Sequence, residues 1–356
     1  MSSNPRKWAV AALAAGLVLA ACGDDSDADT DTGSDDVETP AAGTSEGEIS
    51  ISGSSTVAPI SSLIADVFND EGSPAQISVD DPGTGDGFAA FCEGDIDIAD
   101  ASRPIKEEEA AACADAGIEF VELEVAFDGI TVLTNPANDA VECLTIGDLY
   151  ALVGPESDGF ESWSDGQDIA TALGSSTELP DAPLDITAPG TESGTYDAFA
   201  ELALGDPSEA RLASGDITED QVETIREDYS AQADDNAIIA GIEGSDSSFG
   251  WVGFAFAEGA GDAIAEIAVD AGEGCVSPSI ETIADGSYPL SRSLYIYVSV
   301  ASADENAAVA EYVDFYLDSA SLGALVEEAG YVPLPDDRRT ATQERWEART
   351  TGVAAG

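Results

Sequence analysis

The sequence predicts an α/β protein of two lobes with mostly parallel sheets. Three observations carry this. The chain has 356 residues, 44% of them hydrophobic and 7% aromatic, enough for two buried cores. Strand-like and helix-like stretches alternate from residue 48 onward. No repeat of solenoid type interrupts them.

The elements follow in order. Arg6 and Lys7 precede an apolar run, Trp8–Ala21, too short to span a bilayer and ending in Leu19-Ala20-Ala21-Cys22. This predicts an export signal (1–22) with a lipobox, cleaved before Cys22 and lipidated there. Residues 23–47 are Asp, Ser, Thr and Gly with little apolar content, an acidic disordered tether. Glu48–Gly53 then reads as a strand. Ala58–Asn69 reads as a helix, because Ile60, Leu63, Ile64, Val67 and Phe68 repeat at helical spacing. Ala75–Asp80 is a strand, Phe88–Glu93 a short helix, Asp95–Ala101 a strand, Glu107–Ala116 a helix and Ile118–Glu124 a strand. Phe127–Asn135 is β-branched and apolar, a buried strand. Ile146–Val153, Tyr196–Leu204 and Asp220–Gln232 read as helices, while Phe249–Phe256, Ala263–Val269 and Leu294–Val300 read as strands. Ala307–Asp318 and Ser321–Ala329 close the series as helices. Lobe 1 is expected to comprise 48–128 plus 293–340, lobe 2 to comprise 129–292, and 341–356 to be a solvated tail.

Charge and composition remove several classes of function. Against 11 basic residues stand 72 acidic ones, a net of -61, which repels nucleic acid and anionic membrane surfaces. The chain has no histidine, so His-based acid–base catalysis, Ser-His-Asp triads and His-ligated zinc are excluded. Asp25, Asp27, Asp29 and Asp31 alternate as in a calcium loop, but the sixth position is Thr30 where such a loop needs Gly. No metal, cofactor or catalytic group is expected. With Cys22 assigned to lipid, Cys92, Cys113, Cys143 and Cys275 remain. In an exported chain they suggest two disulfides. Three pairings are possible. Cys92–Cys113 with Cys143–Cys275 keeps each bridge inside one lobe.

Three Gly/Ser/Thr turns each precede a helical stretch: Gly53-Ser54-Ser55-Thr56, Gly83-Thr84-Gly85-Asp86-Gly87 and Gly190-Thr191-Glu192-Ser193-Gly194-Thr195. A helix start offers unpaired N–H donors and the positive end of its dipole; Gly admits close approach, and Ser and Thr add hydroxyls. Together these cradle an oxyanion. Neutral, buried donors can do this beneath an acidic, screened surface. Plain helix capping explains any one such turn, but not the recurrence. A fourth segment, Asp97–Ile105, is a strand leading to Ser102 and Arg103. Only five basic residues lie between Glu48 and Pro335: Arg103, Lys106, Arg211, Arg226 and Arg292. Arg103 suits bidentate contact with a tetrahedral anion, or equally a surface ion pair.

The combination Ser52–Pro59, Gly83–Ile105, Gly190–Phe199 and Pro289-Leu290-Ser291-Arg292 resembles the phosphate-binding subunits of bacterial phosphate ABC transporters. The resemblance implies a type II periplasmic binding protein, two lobes with the ligand in the cleft between them. It implies a lipid-anchored, extracytoplasmic, monomeric receptor for inorganic phosphate that serves a membrane permease. Ser55, Thr56, Thr84, Gly85, Ser102, Arg103, Ser193, Gly194 and Thr195 would hold the anion. Many relatives carry an Asp where Arg103 stands and an Arg where Pro189 stands, so the group accepting the phosphate proton is open, with Asp86 and Asp128 as candidates. Rival readings are a receptor for sulfate or molybdate and a carboxylate-dependent phosphatase. Hinges are expected at Phe127–Ile130 and Arg292–Tyr295.

Overall fold

The computed structural model describes residues 44–354, all within one unit that spans 39–356. The export signal, Cys22 and most of the tether lie outside the described residues. Eleven strands are described: β1 (Glu48–Gly53), β2 (Gln76–Asp80), β3 (Ile98–Ala101), β4 (Phe120–Thr134), β5 (Cys143–Thr145), β6 (Asp185–Pro189), β7 (Ser230–Gln232), β8 (Ser248–Gly253), β9 (Ala265–Asp270), β10 (Ser291–Ser299) and β11 (Val332–Pro333). They form one curled sheet in the order β2-β1-β3-β10-β4-β8-β6-β7, with β11 and β9 also on β4 and β5 on β9.

One long strand joins the lobes. The sequence splits it in two at Val125-Ala126, but β4 runs unbroken for 15 residues. Up to Gly129 it pairs with β10; from Ile130 it pairs with β8 and β9. Its near-continuous burial reflects apolar packing on both faces. Lobe 1 is built on parallel β2-β1-β3 with antiparallel β10. One core covers one face of this sheet, with Ile60, Ile64, Phe68, Tyr312 and Phe315. A smaller cluster includes Phe88, Phe91, Phe120 and Tyr297. The core of lobe 2 gathers Trp163, Phe199, Trp251 and Tyr288. Cys92–Cys113 and Cys143–Cys275 form the two disulfides.

Several expectations are corrected. Residues 44–47, placed in the tether, are docked: the Thr44 and Ser45 amides donate to Glu311 at 2.8 and 2.9 Å. The segment expected as a tail contains the helix Asp336–Glu347, which crosses the expected 340/341 boundary. Trp346 is buried there, and Arg345 Nε donates to the Glu122 carbonyl of β4 at 2.8 Å. Asp220–Gln232 is not a helix. Glu223 has φ 53°, which ends any helical run, and Ser230–Gln232 is strand β7. The helix starting at Gly194 winds as a π-helix over Ala200–Leu204 and leads into a further helix, Gly205–Ser214. Phe254–Ala260 is helical, so β8 stops at Gly253. Among the described residues no helix is long and apolar enough to cross a membrane.

Candidate functional site

The sheet topology brings the turns together. Parallel β1 and β3 end at the same edge, and antiparallel β10 begins there. Ligands of open α/β sheets bind outside the carboxyl ends of such strands. The helices Ala58–Asp70 and Thr84–Glu93 also start at this edge and aim their positive ends toward it.

Two glycines set the spacing. A Cβ on Gly87 would sit 2.5 Å from Gly53 Cα, and one on Gly53, at φ 146°, would sit 2.1 Å from the Asp100 carbonyl oxygen. Only bare backbone lets the helix Thr84–Glu93 lie this close to the end of β1. The Gly83 amide completes the join by donating to the Gly53 carbonyl at 2.8 Å. Thr84 and Ser102 are linked hydroxyl to hydroxyl at 3.1 Å, and the Ser102 amide donates to Thr84 Oγ1 at 3.2 Å. From the other lobe Gly194 reaches Ser55: a Cβ there would lie 3.1 Å from the Ser55 carbonyl oxygen. Ser55 Oγ donates to Asp197 across the cleft at 2.8 Å.

A cavity of about 380 Å³ results. Lobe 1 lines it with Ser54, Ser55, Thr56, Gly83, Thr84, Ser102 and Arg103. Lobe 2 contributes Tyr196, Asp197, Ala200, Glu201 and Glu223, and β10 contributes Arg292. The structure thus brings together Ser55, Thr56, Thr84, Ser102 and Arg103. Ser193, Gly194 and Thr195 are not among the lining residues; Ser193 Oγ caps its own helix by accepting from the Thr195 amide at 3.2 Å. Gly85 and Asp86 are exposed outside the lining.

Arg103 is committed to a neighbour. Its two terminal nitrogens donate to the two oxygens of Glu109, each at 2.8 Å, and its guanidinium lies 5.5 Å from the Phe88 ring centre. Of the two arrangements of Arg103 foreseen from sequence, the ion pair is the one present, partly buried, and the same side chain lines the cavity.

Arg292 is the cation that sequence reasoning left out of the site. In the β4–β10 register it stands directly opposite Asp128, and its Nε lies 3.4 Å from Asp128 Oδ2. One terminal nitrogen donates to Thr56 Oγ1 at 3.0 Å, and the other contacts the Glu201 carboxylate of lobe 2. The Arg292 side chain is only 9% exposed. Burial raises the Asp128 carboxyl above its usual range despite the pull of Arg292. Burial, with the Glu201 charge adding to it, raises Glu223 as well. The available signal was scarcity. Of the five basic residues in the body of the chain, Arg211 is held by Glu156 and Arg226 by Asp228, which leaves few cations for an anion site.

Two α/β lobes sharing one sheet, with a polar cavity lined from both, define a two-lobed solute-binding protein of the type II periplasmic class. The description "PBP superfamily domain" matches residues 38–320, and the chain belongs to that superfamily. It is 39% identical over 291 residues to Protein SphX of Synechocystis, covering 81% of this chain and 79% of that protein. It is 33% identical over 337 residues to the phosphate-binding protein PstS of Staphylococcus aureus, covering 93% and 89%. The crystal structure of a possible phosphate binding protein from Planctomyces limnophilus superposes with a TM-score of 0.75 at 34% identity, covering 86% of this chain and 100% of that one.

Proposed function

We propose that this chain captures inorganic phosphate outside the cytoplasm and delivers it to the membrane permease of an ABC importer, without chemistry on the ligand. One observation carries the reading: hydroxyl-bearing turns from lobe 1 and a buried guanidinium on β10 meet at a cavity whose other wall is lobe 2. The names of the relatives at 39% and 33% identity support it. Thr56, Thr84 and Ser55 supply hydroxyls, the helix starts supply dipole and amides, and Arg292 supplies the charge. Arg103 lines the cavity as half of a neutral pair with Glu109.

Binding is by cleft closure. β4 changes partner between Gly129 and Ile130, and the β10–β4 register shifts between Leu294 and Tyr295. These two crossovers are the proposed hinges, and the proposed lobes are those read from sequence, with the helix Asp336–Glu347 added to the first. Rejection of sulfate requires a carboxylate that meets the phosphate proton. Of the two sequence candidates only Asp128 adjoins a lining group, Arg292. Lipidation at Cys22 would anchor the receptor, acting as a monomer, to the outer face of the membrane. The test is calorimetry on ligand-stripped protein with phosphate, arsenate and sulfate. Phosphate binding at micromolar or lower Kd with sulfate at least a hundredfold weaker is expected. Equal or tighter sulfate binding would reassign the ligand.

A further inference from the structure

The cavity carries more negative than positive charge. Asp197, Glu201 and Glu223 face Arg103 and Arg292. That is an unexpected lining for an anion receptor, and one carboxylate accounts for it. Arg103 gives both terminal nitrogens to Glu109, outside the cavity lining. Arg292 instead places one terminal nitrogen on Thr56 of lobe 1 and the other on Glu201 of lobe 2. Glu201 therefore occupies one of the two terminal donors of the largely buried cation. Its position comes from a local irregularity: the chain winds as a π-helix over Ala200–Leu204, and such single-turn segments are frequent at functional sites. The Glu201 side chain is 45% exposed, against 9% for Arg292, so it can swing into solvent while the arginine stays in place.

We propose that Glu201 is a built-in competitor for the anion site: its carboxylate holds Arg292 in the ligand-free protein, and the incoming oxyanion must displace it. Resting on the phosphate reading above, this makes Glu201 the residue that sets affinity. It keeps a buried guanidinium satisfied in the empty cleft, and it leaves only ligands of high negative charge density able to win the donor. Displacement also breaks the contact between Arg292, at the start of the β10 crossover, and Glu201 of lobe 2.

Glu201→Gln keeps the shape and removes the charge, and Glu209→Gln removes an exposed carboxylate of lobe 2 that lies outside the cavity lining. In calorimetry with phosphate, Glu201→Gln is expected to bind about tenfold tighter, with Glu209→Gln within threefold of the parent. Equal tightening in both variants would reduce the effect to general charge and overturn the proposal, as would unchanged or weaker binding in Glu201→Gln. A second arm needs no ligand. Phenylglyoxal labelling of stripped protein, read by peptide mass spectrometry, is expected to modify Arg292 at least threefold faster in Glu201→Gln than in the parent; an equal rate would overturn the competitor role. Absence of phosphate heat in all three proteins would count against the phosphate reading alone, and the labelling arm would still decide for or against Glu201.

Discussion

Replacing Arg292 with Met tests the site and the fold at once. The change keeps the length and apolar stem of the side chain and removes the guanidinium. Two consequences follow, and they are separable. The first is on stability. Asp128 is buried and directly opposite in the sheet, with Arg292 as its ion-pair partner. Deleting one partner of a buried ion pair costs about 3–5 kcal/mol. The cost falls toward the lower end here, because burial already raises the Asp128 carboxyl and eases its protonation once the cation is gone. The second is on binding. One charge-assisted hydrogen bond to the anion, contributing about 1.5–3 kcal/mol, is lost, so Kd should rise by roughly one to two powers of ten. Urea unfolding reads the first and calorimetry with phosphate reads the second. The double variant Arg292→Met with Asp128→Asn should regain most of the stability and none of the affinity. Phosphate affinity within threefold of the parent in Arg292→Met would refute the assignment of Arg292 to the anion.

Four further outcomes are expected. Gly87→Ala puts a methyl group 2.5 Å from Gly53 Cα; it should cost about 1–3 kcal/mol in urea unfolding and weaken phosphate binding at least tenfold by separating the first two turns. Asp100 is fully buried beneath the first turn, accepts from Ser61 Oγ at 3.0 Å, and is pushed up to about 7 by burial, with the Ser61 bond opposing. Its native carboxyl therefore keeps a proton that the unfolded chain sheds near its ordinary value of 3.8, so stability is fully present below about pH 4 and is lost as pH rises through about 7. The loss is on the order of 4 kcal/mol, and Asp100→Asn should flatten that part of the stability–pH curve. Replacing Cys143 and Cys275 with Ser opens a bridge of sequence separation 132, against 21 for Cys92–Cys113; by loop entropy the costs are about 5 and about 3 kcal/mol, readable as the order of the two midpoints in urea. A net charge of -61 makes the folded state self-repelling, so thermal midpoint should fall as salt is removed from 1 M to 10 mM, and a flat response would contradict this.

The parts of the fold governed by local spacing were legible. The helix Ala58–Asp70 follows from apolar periodicity, and Glu107–Ala116 follows from its run of Glu and Ala, which ends at Gly117 with φ 77°. Tertiary context decided the rest. Val222, Ile225 and Tyr229 imitate helical spacing, yet Arg226 is drawn inward to the carbonyls of Leu152 and Phe160, and the chain turns at Glu223 to allow it. The helix Gly205–Ser214 was hidden by Pro207, which sits in its first turn where an amide hydrogen is not needed. In the site, the small hydroxylated turns announced themselves because their chemistry is local. Arg292 did not. Its role depends on standing across the sheet from Asp128 and beside Thr56, a relation between segments far apart in sequence. Ser193 turns its hydroxyl back to cap its own helix, and it lies with Gly194 and Thr195 outside the cavity lining, where the next residues, Tyr196 and Asp197, stand.

A crystal structure of the protein soaked with phosphate tests the central claim most directly. The account predicts one tetrahedral density within hydrogen-bond distance of Thr56 Oγ1, Thr84 Oγ1 and an Arg292 terminal nitrogen. Phosphate bound elsewhere, or a cleft that closes with Arg292 more than one water layer from the anion, would contradict it.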